Sequence, residues 1–382
     1  MSADFDYIQS DEQFLGLVDR LADEAVYAVD TEFHREKTYF PHVAVIQIAD
    51  SHGVAVVDAL TVDLAPLARV LDGPGTAIMH AARQDMEVLD QACGTTPSVL
   101  VDTQLTAGFL GYTSPSLANL LERELGVKTA KADRLTDWLK RPLTDNQLAY
   151  AAADVADLIE LHDSLWERVE ARGRTAWVME ACEELRTSPR GKRSPEDAWR
   201  RIKEIRHLKG SRLATAQAVA AWREDRAATT DLTPRFVLSD LGVVSVSSSS
   251  PKTLEDLRRL RGVDGRALKG SIGEELLEVV SSSRDAKPTP NVTTKAPEMP
   301  SDLRPVVPLI AAWANQQART LDLEASLLAK RADLEELLRG MPDARLSKGW
   351  RAEIVGEPIR RLVAGEVALA FDQGKGLVLV DR

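Results

Sequence analysis

Short apolar runs cluster near the start of the chain. VYAVDTEF (26–33), HVAVIQIAD (42–50) and GVAVVDA (53–59) are rich in Val, Ile and Ala and are divided by turn material. Such runs predict strands, and connections too short for helical crossovers make them an antiparallel meander. Alternation follows. The pattern predicts a helix near 62–72, a strand at 76–80, a helix at 82–93 closed by Gly94, a strand at 98–102 and helices over 103–124. A mixed sheet with helices against it is the expected architecture. The helix starting near 145 has the clearest signature. Thr144-Asp145-Asn146-Gln147 fits a capping box, and apolar periodicity carries the helix to Gly173. TSPRGKRSP (187–195) reads as a linker.

From residue 194 the strand signal fades. Residues 196–281 read as short helices joined by Gly, Pro and Ser turns, and residues 303–382 as mostly helical. Between them SSSRDAKPTPNVTTKAPEMPSD (281–302) holds four prolines and almost no large apolar residue, the composition of a flexible linker. The two helical segments look duplicated. VAAWREDRAATTDL (219–232) and IAAWANQQARTLDL (310–323) align without a gap, which pairs Phe236 with Leu327 and Val237 with Leu328.

Composition narrows the function classes. The chain has 382 residues, 44% apolar and 28% charged, which is globular and excludes fibrous or wholly disordered chains. No apolar run approaches the roughly 20 residues of a membrane span. The opening MSADFDYIQSDEQF lacks a basic-then-apolar signal region. Two cysteines, Cys93 and Cys182, cannot build a disulfide framework, so a reducing cytoplasm is expected. The net charge of −11 gives no global attraction for nucleic acid, which argues against a simple coat protein but not against an enzyme with local phosphate contacts.

Candidate chemistry lies in acids. Asp30 and Glu32 share one face of a predicted strand, because side chains alternate. Two carboxylates there repel, and a divalent cation with hard oxygen ligands relieves the repulsion; two solvated acids on an exposed face are the alternative. Asp85 falls in the first turn of a helix just past a strand end, a place that suits either a ligand or a helix-dipole partner. Tyr150 and Asp154 stack four residues apart, off the apolar stripe Leu148, Ala152, Val155 and Ile159. His80 reads as structural, and Asp102 as the cap of the helix that follows it.

Taken in order, D-x-E on the first long strand, Asp about 55 residues on, and Y-x-x-x-D on a late helix resemble the DEDD superfamily of exonucleases, in the subgroup with tyrosine in its third motif. VDTEFHREKTYFPHVAVIQIAD, HAARQDMEVL, VDTQLTAGFLGY and DWLKRPLTDNQLAYAAADV are closer still to ribonuclease D. PRFVLSDLGV with SPKTLEDLRRLRGV resembles a helicase-and-ribonuclease-D C-terminal domain, and the later segment a divergent second copy. The resemblance implies an α/β RNase H-like nuclease domain over 1–175 and two small all-α domains. The first spans 190–281 and the second 303–382, with a flexible linker at 282–302.

It further implies 3′→5′ hydrolysis of phosphodiesters with two divalent cations, Mg²⁺ or Mn²⁺, releasing 5′-nucleoside monophosphates. The family's metal-binding carboxylates fall on Asp30, Glu32, Asp85 and Asp154, and its water-orienting tyrosine on Tyr150. RNA with an accessible 3′ end, tRNA precursors foremost, is the implied substrate. A DNA 3′→5′ exonuclease of the same superfamily and a non-catalytic RNA-binding protein are the alternatives. Phe33 is a candidate for stacking on the terminal base. Residues 190–212 hold nine Lys/Arg against three Asp/Glu, net +6, in an otherwise acidic chain. Arg190, Lys192, Arg193, Arg200 and Arg201, with Arg258, Arg259 and Arg261 further on, are therefore candidate phosphate contacts. Arg266 and Lys269 extend that second basic stretch.

Overall fold

The computed structural model describes residues 4–128, 136–191, 194–265, 268, 270–289 and 299–382. Lys192, Arg193, Arg266 and Lys269 lie outside them, as does 290–298 of the expected linker.

Six strands form one sheet. They are β1 (Phe5–Ile8), β2 (Val26–His34), β3 (His42–Asp50), β4 (Gly53–Asp58), β5 (Thr76–Met79) and β6 (Val99–Asp102), in the order β1-β4-β3-β2-β5-β6. β2, β3 and β4 are the expected antiparallel meander, while β1, β5 and β6 join in parallel. β1 escapes the sequence pattern because its four residues, FDYI, bury only Ile8 fully.

Alternation in β2 sorts the two faces. Tyr27 and Val29 face a core with Phe14, Leu17, Val70, Met86 and Leu89, built by the helices Asp11–Leu21 and Arg83–Cys93 and the short turns at 65–71. Ala28 faces the opposite core, with Val155, Leu158, Leu161, Leu165 and Val178. By parity Asp30 and Glu32 belong to this second face, and Thr31 to the first.

The helix expected to run unbroken from 145 to 173 breaks at Asp157 (φ −109°, ψ 10°), giving Asp145–Ala156 and Leu158–Ala171. The reason is packing. The first part lies over β2, β3 and β4, whereas the second lies over β2 and β5 and meets the helices Thr103–Gly108 and Leu117–Glu124.

The two helical regions repeat one order of elements. In the first, a long helix (Gly210–Thr230) ends at Asp231 in the left-handed conformation (φ 49°), then come one turn of helix (Pro234–Val237) and the helix Asp240–Ser249. In the second, the helix Val306–Thr320, left-handed Asp322 (φ 51°), the turn Ala325–Leu328 and the helix Arg331–Leu338 follow suit. Residues 303–382 then add a hairpin, β7 (Val367–Asp372) and β8 (Gly376–Asp381), where only helices were expected. Its Leu369, Leu377 and Leu379 sit against the large core, so the hairpin takes its stability from packing.

The first region has its own core, with Trp199, Ile205, Val219, Val243, Val246, Leu257 and Leu276. Ser283 still belongs to its last helix, and Thr289 exchanges two hydrogen bonds with the Gln217 amide (2.8 and 2.9 Å). The second region shares the core of the sheet. Trp350 stacks on Trp177 with ring centroids 4.6 Å apart and meets Phe109 edge-on at 5.5 Å.

Candidate active site

β2 carries Asp30 and Glu32 in the centre of the sheet. The helix Arg83–Cys93 brings Asp85 to it, and Thr31 fixes that carboxylate by donating its hydroxyl to Oδ1 at 2.6 Å. The helix Asp145–Ala156 brings Tyr150 and Asp154. Its start is the predicted capping box: Gln147 N–H donates to the Thr144 hydroxyl (3.3 Å) and Thr144 N–H to Gln147 Oε1 (2.9 Å). All five expected residues thus converge.

Sequence patterns did not reveal the device that holds this helix. Arg141 makes a two-pronged pair with the fully buried Asp58 (2.6 and 2.7 Å) and donates to the carbonyls of Trp138 (2.6 Å) and Ala44 (2.9 Å). Tyr7 donates to the same carboxylate at 2.8 Å. Burial alone would raise Asp58, but Arg141 and Tyr7 hold it below the usual carboxylate range. Ala44 is the extra residue where the β2–β3 register shifts, between Glu32 and Phe33. One guanidinium therefore braces both the strand beside Glu32 and the approach to Tyr150. A half-buried arginine whose partner lies far away in the chain leaves no periodic trace in a sequence.

The electrostatics are those of crowded acids. Burial pushes Asp30 well up, and the charges of Asp85, Asp154 and Glu32 add to it. Burial and then Asp154 and Asp85 push Glu32 up to about 8. Burial takes Asp154 to about 7, although the hydrogen bond from the Tyr150 hydroxyl pulls it down. Asp85 is raised by burial against the opposing Thr31 bond. Tyr150 is raised by burial, then by Asp154 and Glu32, so its hydroxyl stays protonated. Its ring lies 6.1 Å from that of Trp138.

Among the described residues, no three Asp, Glu, His or Cys side chains are drawn tightly enough to make a closed ligand set. Asp30 and Glu32 each feel the charges of the neighbouring acids. The donor set still fits hard divalent cations. Gln47, the cross-strand neighbour of Asp30, supports that fit: it is fully buried, and neither amide atom has a hydrogen-bond partner.

Other expected residues fall as follows. Asp102 is structural, accepting from the N–H groups of Ala81, Ala82, Gln104 and Leu105. His80 Nδ1 lies 2.9 Å from the Thr103 hydroxyl. Phe33 is half-buried next to Glu32 on β2. Several basic candidates are engaged: Arg200 with Asp197 (2.6 Å), Arg201 with Glu224 (2.7 Å) and Arg259 with Glu255 (2.5 Å). Arg190 is partly buried beside Asp90, while Arg258 and Arg261 are exposed.

Residues 5–170 match the 3′-5′ exonuclease family and residues 212–280 match the HRDC domain. Ribonuclease D of Acidiphilium cryptum is 36% identical over 382 residues, spanning 98% of this chain and 96% of its own length. The chain belongs to the ribonuclease D family. The enzyme of that name from Nitrobacter hamburgensis is 34% identical and covers 99% of this chain and 100% of itself. The crystal structure of Escherichia coli RNase D, an exoribonuclease involved in structured RNA processing, superposes with a TM-score of 0.84 at 32% identity. It covers 95% of this chain and 99% of that one. A Bifidobacterium adolescentis protein shares the fold, with a TM-score of 0.74 at 21% identity. Family membership makes this chain a 3′→5′ exoribonuclease.

Proposed function

We propose that this ribonuclease D-family chain trims RNA from accessible single-stranded 3′ ends, tRNA precursors among them, and releases 5′-nucleoside monophosphates. The observation that carries the chemistry is the convergence of Asp30, Glu32, Asp85 and Asp154 around β2, with the Tyr150 hydroxyl bonded to Asp154. In this reading the four carboxylates hold two divalent cations, Mg²⁺ or Mn²⁺. When bound, such ions stabilise the attacking and leaving oxygens of an in-line displacement. Asp30 would contribute to holding both ions, Glu32 and Asp154 would hold the one toward the attacking water, and Asp85 the one toward the leaving group.

The protein's own part is positioning. Tyr150, kept protonated, donates its one hydroxyl hydrogen to Asp154 and orients the attacking water rather than removing its proton. Thr31 locks the Asp85 carboxylate, and Arg141 braces Glu32 and Tyr150 together. The nuclease unit is read as 1–175, the first helical unit as 190–281, the linker as 282–302 and the second helical unit as 303–382. A cytoplasmic location goes with this reading; among the described residues no helix is long and apolar enough to cross a membrane.

The test is hydrolysis of 5′-labelled RNA and DNA oligomers across Mg²⁺ and Mn²⁺ series. A ladder shortening from the 3′ end of RNA, with nucleoside 5′-monophosphates released, is expected. Equal attack on DNA would favour the DNA-exonuclease alternative, and binding without hydrolysis the non-catalytic one.

A further inference from the structure

Residues 232–241 round the corner after the long helix of the first helical region. They leave three large apolar side chains in solvent: Leu232 is 41%, Phe236 52% and Leu241 48% exposed. The duplicated region supplies the comparison. Leu323 and Leu327, aligned with Leu232 and Phe236, are only 6% and 7% exposed. Leu327 lies so close to Gly108 that a Cβ on that glycine would come within 2.5 Å of its Cδ1. Elsewhere the two corners agree. Val237 and Leu328 are both buried, and Asp231 and Asp322 are both left-handed. The surface that seals the second copy onto the sheet's core is therefore open in the first.

The open corner is continuous with the strand that carries the acids. Asp231 accepts from the N–H groups of Tyr39 and Phe40 (3.0 Å each) and pairs with His42 Nε2 at 2.5 Å. Thr233 N–H donates to the Lys37 carbonyl at 3.1 Å, and Arg235 reaches the Glu36 carbonyl at 3.4 Å. These partners form the loop that leaves β2 a few residues after Glu32. The Arg235 guanidinium lies over the Phe236 ring, 5.2 Å from its centroid, and Lys37 is exposed on the loop opposite.

We propose that Phe236, flanked by Leu232 and Leu241 and backed by Arg235, is a stacking platform for an unpaired nucleobase of the RNA whose 3′ end enters the nuclease site. The proposal rests on the exoribonuclease reading. An exposed ring with a guanidinium over it suits a base joined to a phosphate, since bases stack on aromatic faces regardless of sequence. Three side chains match one or two bases and fall well short of the roughly 800 Å² per partner that a stable protein interface buries.

The experiment measures binding of single-stranded RNAs from three to roughly a dozen nucleotides, with Phe236→Ala, Phe236→Leu and Phe236→Trp each placed in an Asp30→Asn background to prevent turnover. Hydrolysis of the trinucleotide is followed with the same substitutions in otherwise wild-type protein. Phe236→Ala and Phe236→Leu should weaken binding of the longest RNA about tenfold, within the range for losing one stacked base. Phe236→Trp should retain it, and trinucleotide hydrolysis should not change. Unchanged long-RNA binding by Phe236→Ala, or wild-type binding by Phe236→Leu, would overturn the platform. So would a wild-type self-association in sedimentation that Phe236→Ala abolishes, which would make the face a contact between copies. Aromatic-dependent binding by a wild-type protein that hydrolyses no RNA would uphold the platform and refute the nuclease reading.

Discussion

In residues 306–338 the corner at Asp322 is buried against the nuclease sheet's helices. Arg174 donates to the carbonyls of Phe109 (2.6 Å) and Leu321 (2.5 Å), Arg172 pairs with Asp322 (2.9 Å), and Glu324 N–H donates to the Gly108 carbonyl (2.8 Å). In residues 210–249 the equivalent corner at Asp231 touches the β2–β3 loop through polar groups and leaves Phe236 in water. The duplicated pattern of Trp, left-handed Asp and Leu sets the local fold of both regions. What each corner docks to is decided by its counterpart. Gly108 and Gly111 leave room for Leu327 and Asp322, whereas the loop at 36–42 meets the first region through carbonyls, N–H groups, His42 and the Tyr39 hydroxyl, which donates to Glu224 at 2.7 Å. A core is shared in one case and a polar contact is made in the other.

The largest break of this comparison should come from the stacked tryptophan. Trp350→Ala empties a site between Trp177 and Phe109 and should cost about 3–5 kcal/mol, the usual range for such truncation. Because that core is the sheet's own, nuclease activity and the 303–382 region should unfold together in urea. Trp199→Ala, in the separate core, should instead melt the first helical region ahead of the rest, with trinucleotide hydrolysis surviving that first transition. A single transition in both variants would refute the distinction between shared and separate cores. The same logic says that a chain cut near residue 185 would expose Phe109, Trp177 and Val178 and fold poorly.

A smaller effect tests the fit of the second corner. Gly111 has φ 90°, and a Cβ there would lie 2.2 Å from Asp322 Oδ1. Gly111→Ala should cost roughly 2–3 kcal/mol, from backbone strain plus the displaced carboxylate. Gly126→Ala, at φ 73° with nothing within 4 Å, should cost only the strain, roughly 1–2 kcal/mol. Equal losses in melting free energy would mean that Asp322 does not press on the sheet's helices. Smaller again, Asp231→Asn keeps an acceptor for Tyr39 and Phe40 but loses the charge facing His42. It should speed amide exchange at 39–42 with a stability loss below about 1 kcal/mol, as for exposed pairs.

The acids themselves give a pH test. Glu32 and Asp154 have ordinary values near 4 when unfolded, and about 8 and about 7 when folded without metal. Between those limits the folded state binds more protons than the unfolded one, so metal-free stability should fall as pH rises from 5 to 8. Saturating Mg²⁺ should flatten the slope. A metal-free melting temperature that climbs over this window would contradict the clustering of acids.

Much of this was legible in the sequence because it is periodic or locally signed. β2, β3 and β4 follow from alternation, the capping box at Thr144 from its residue types, and the carboxylate set from motif order. What stayed hidden depends on residues far apart in the chain. Arg141 with Asp58, Gln47 beside Asp30, and Arg351 have no local signature. Arg351 is fully buried and holds Glu180, Glu184 and the Leu327 carbonyl (3.0, 3.0 and 2.9 Å). The break at Asp157 and the hairpin at 367–381 were missed for a like reason, since both follow from what they pack against. Within the basic run at 190–212, Arg200 pairs with the nearby Asp197, while the partner of Arg201, Glu224, lies on a later helix that no local pattern links to it.

The proposed function makes the four carboxylates one metal-dependent hydrolytic site. Its most direct test is Asp30→Asn, assayed for Mn²⁺ binding by calorimetry alongside single-turnover hydrolysis of a labelled RNA. The charge removed is the one that Asp85, Asp154 and Glu32 all oppose, so the fold should persist. Metal affinity and turnover should collapse together, hydrolysis by at least about 10³-fold, in the range for losing preorganised electrostatic stabilisation. Near-normal turnover with either Mg²⁺ or Mn²⁺ would contradict the account.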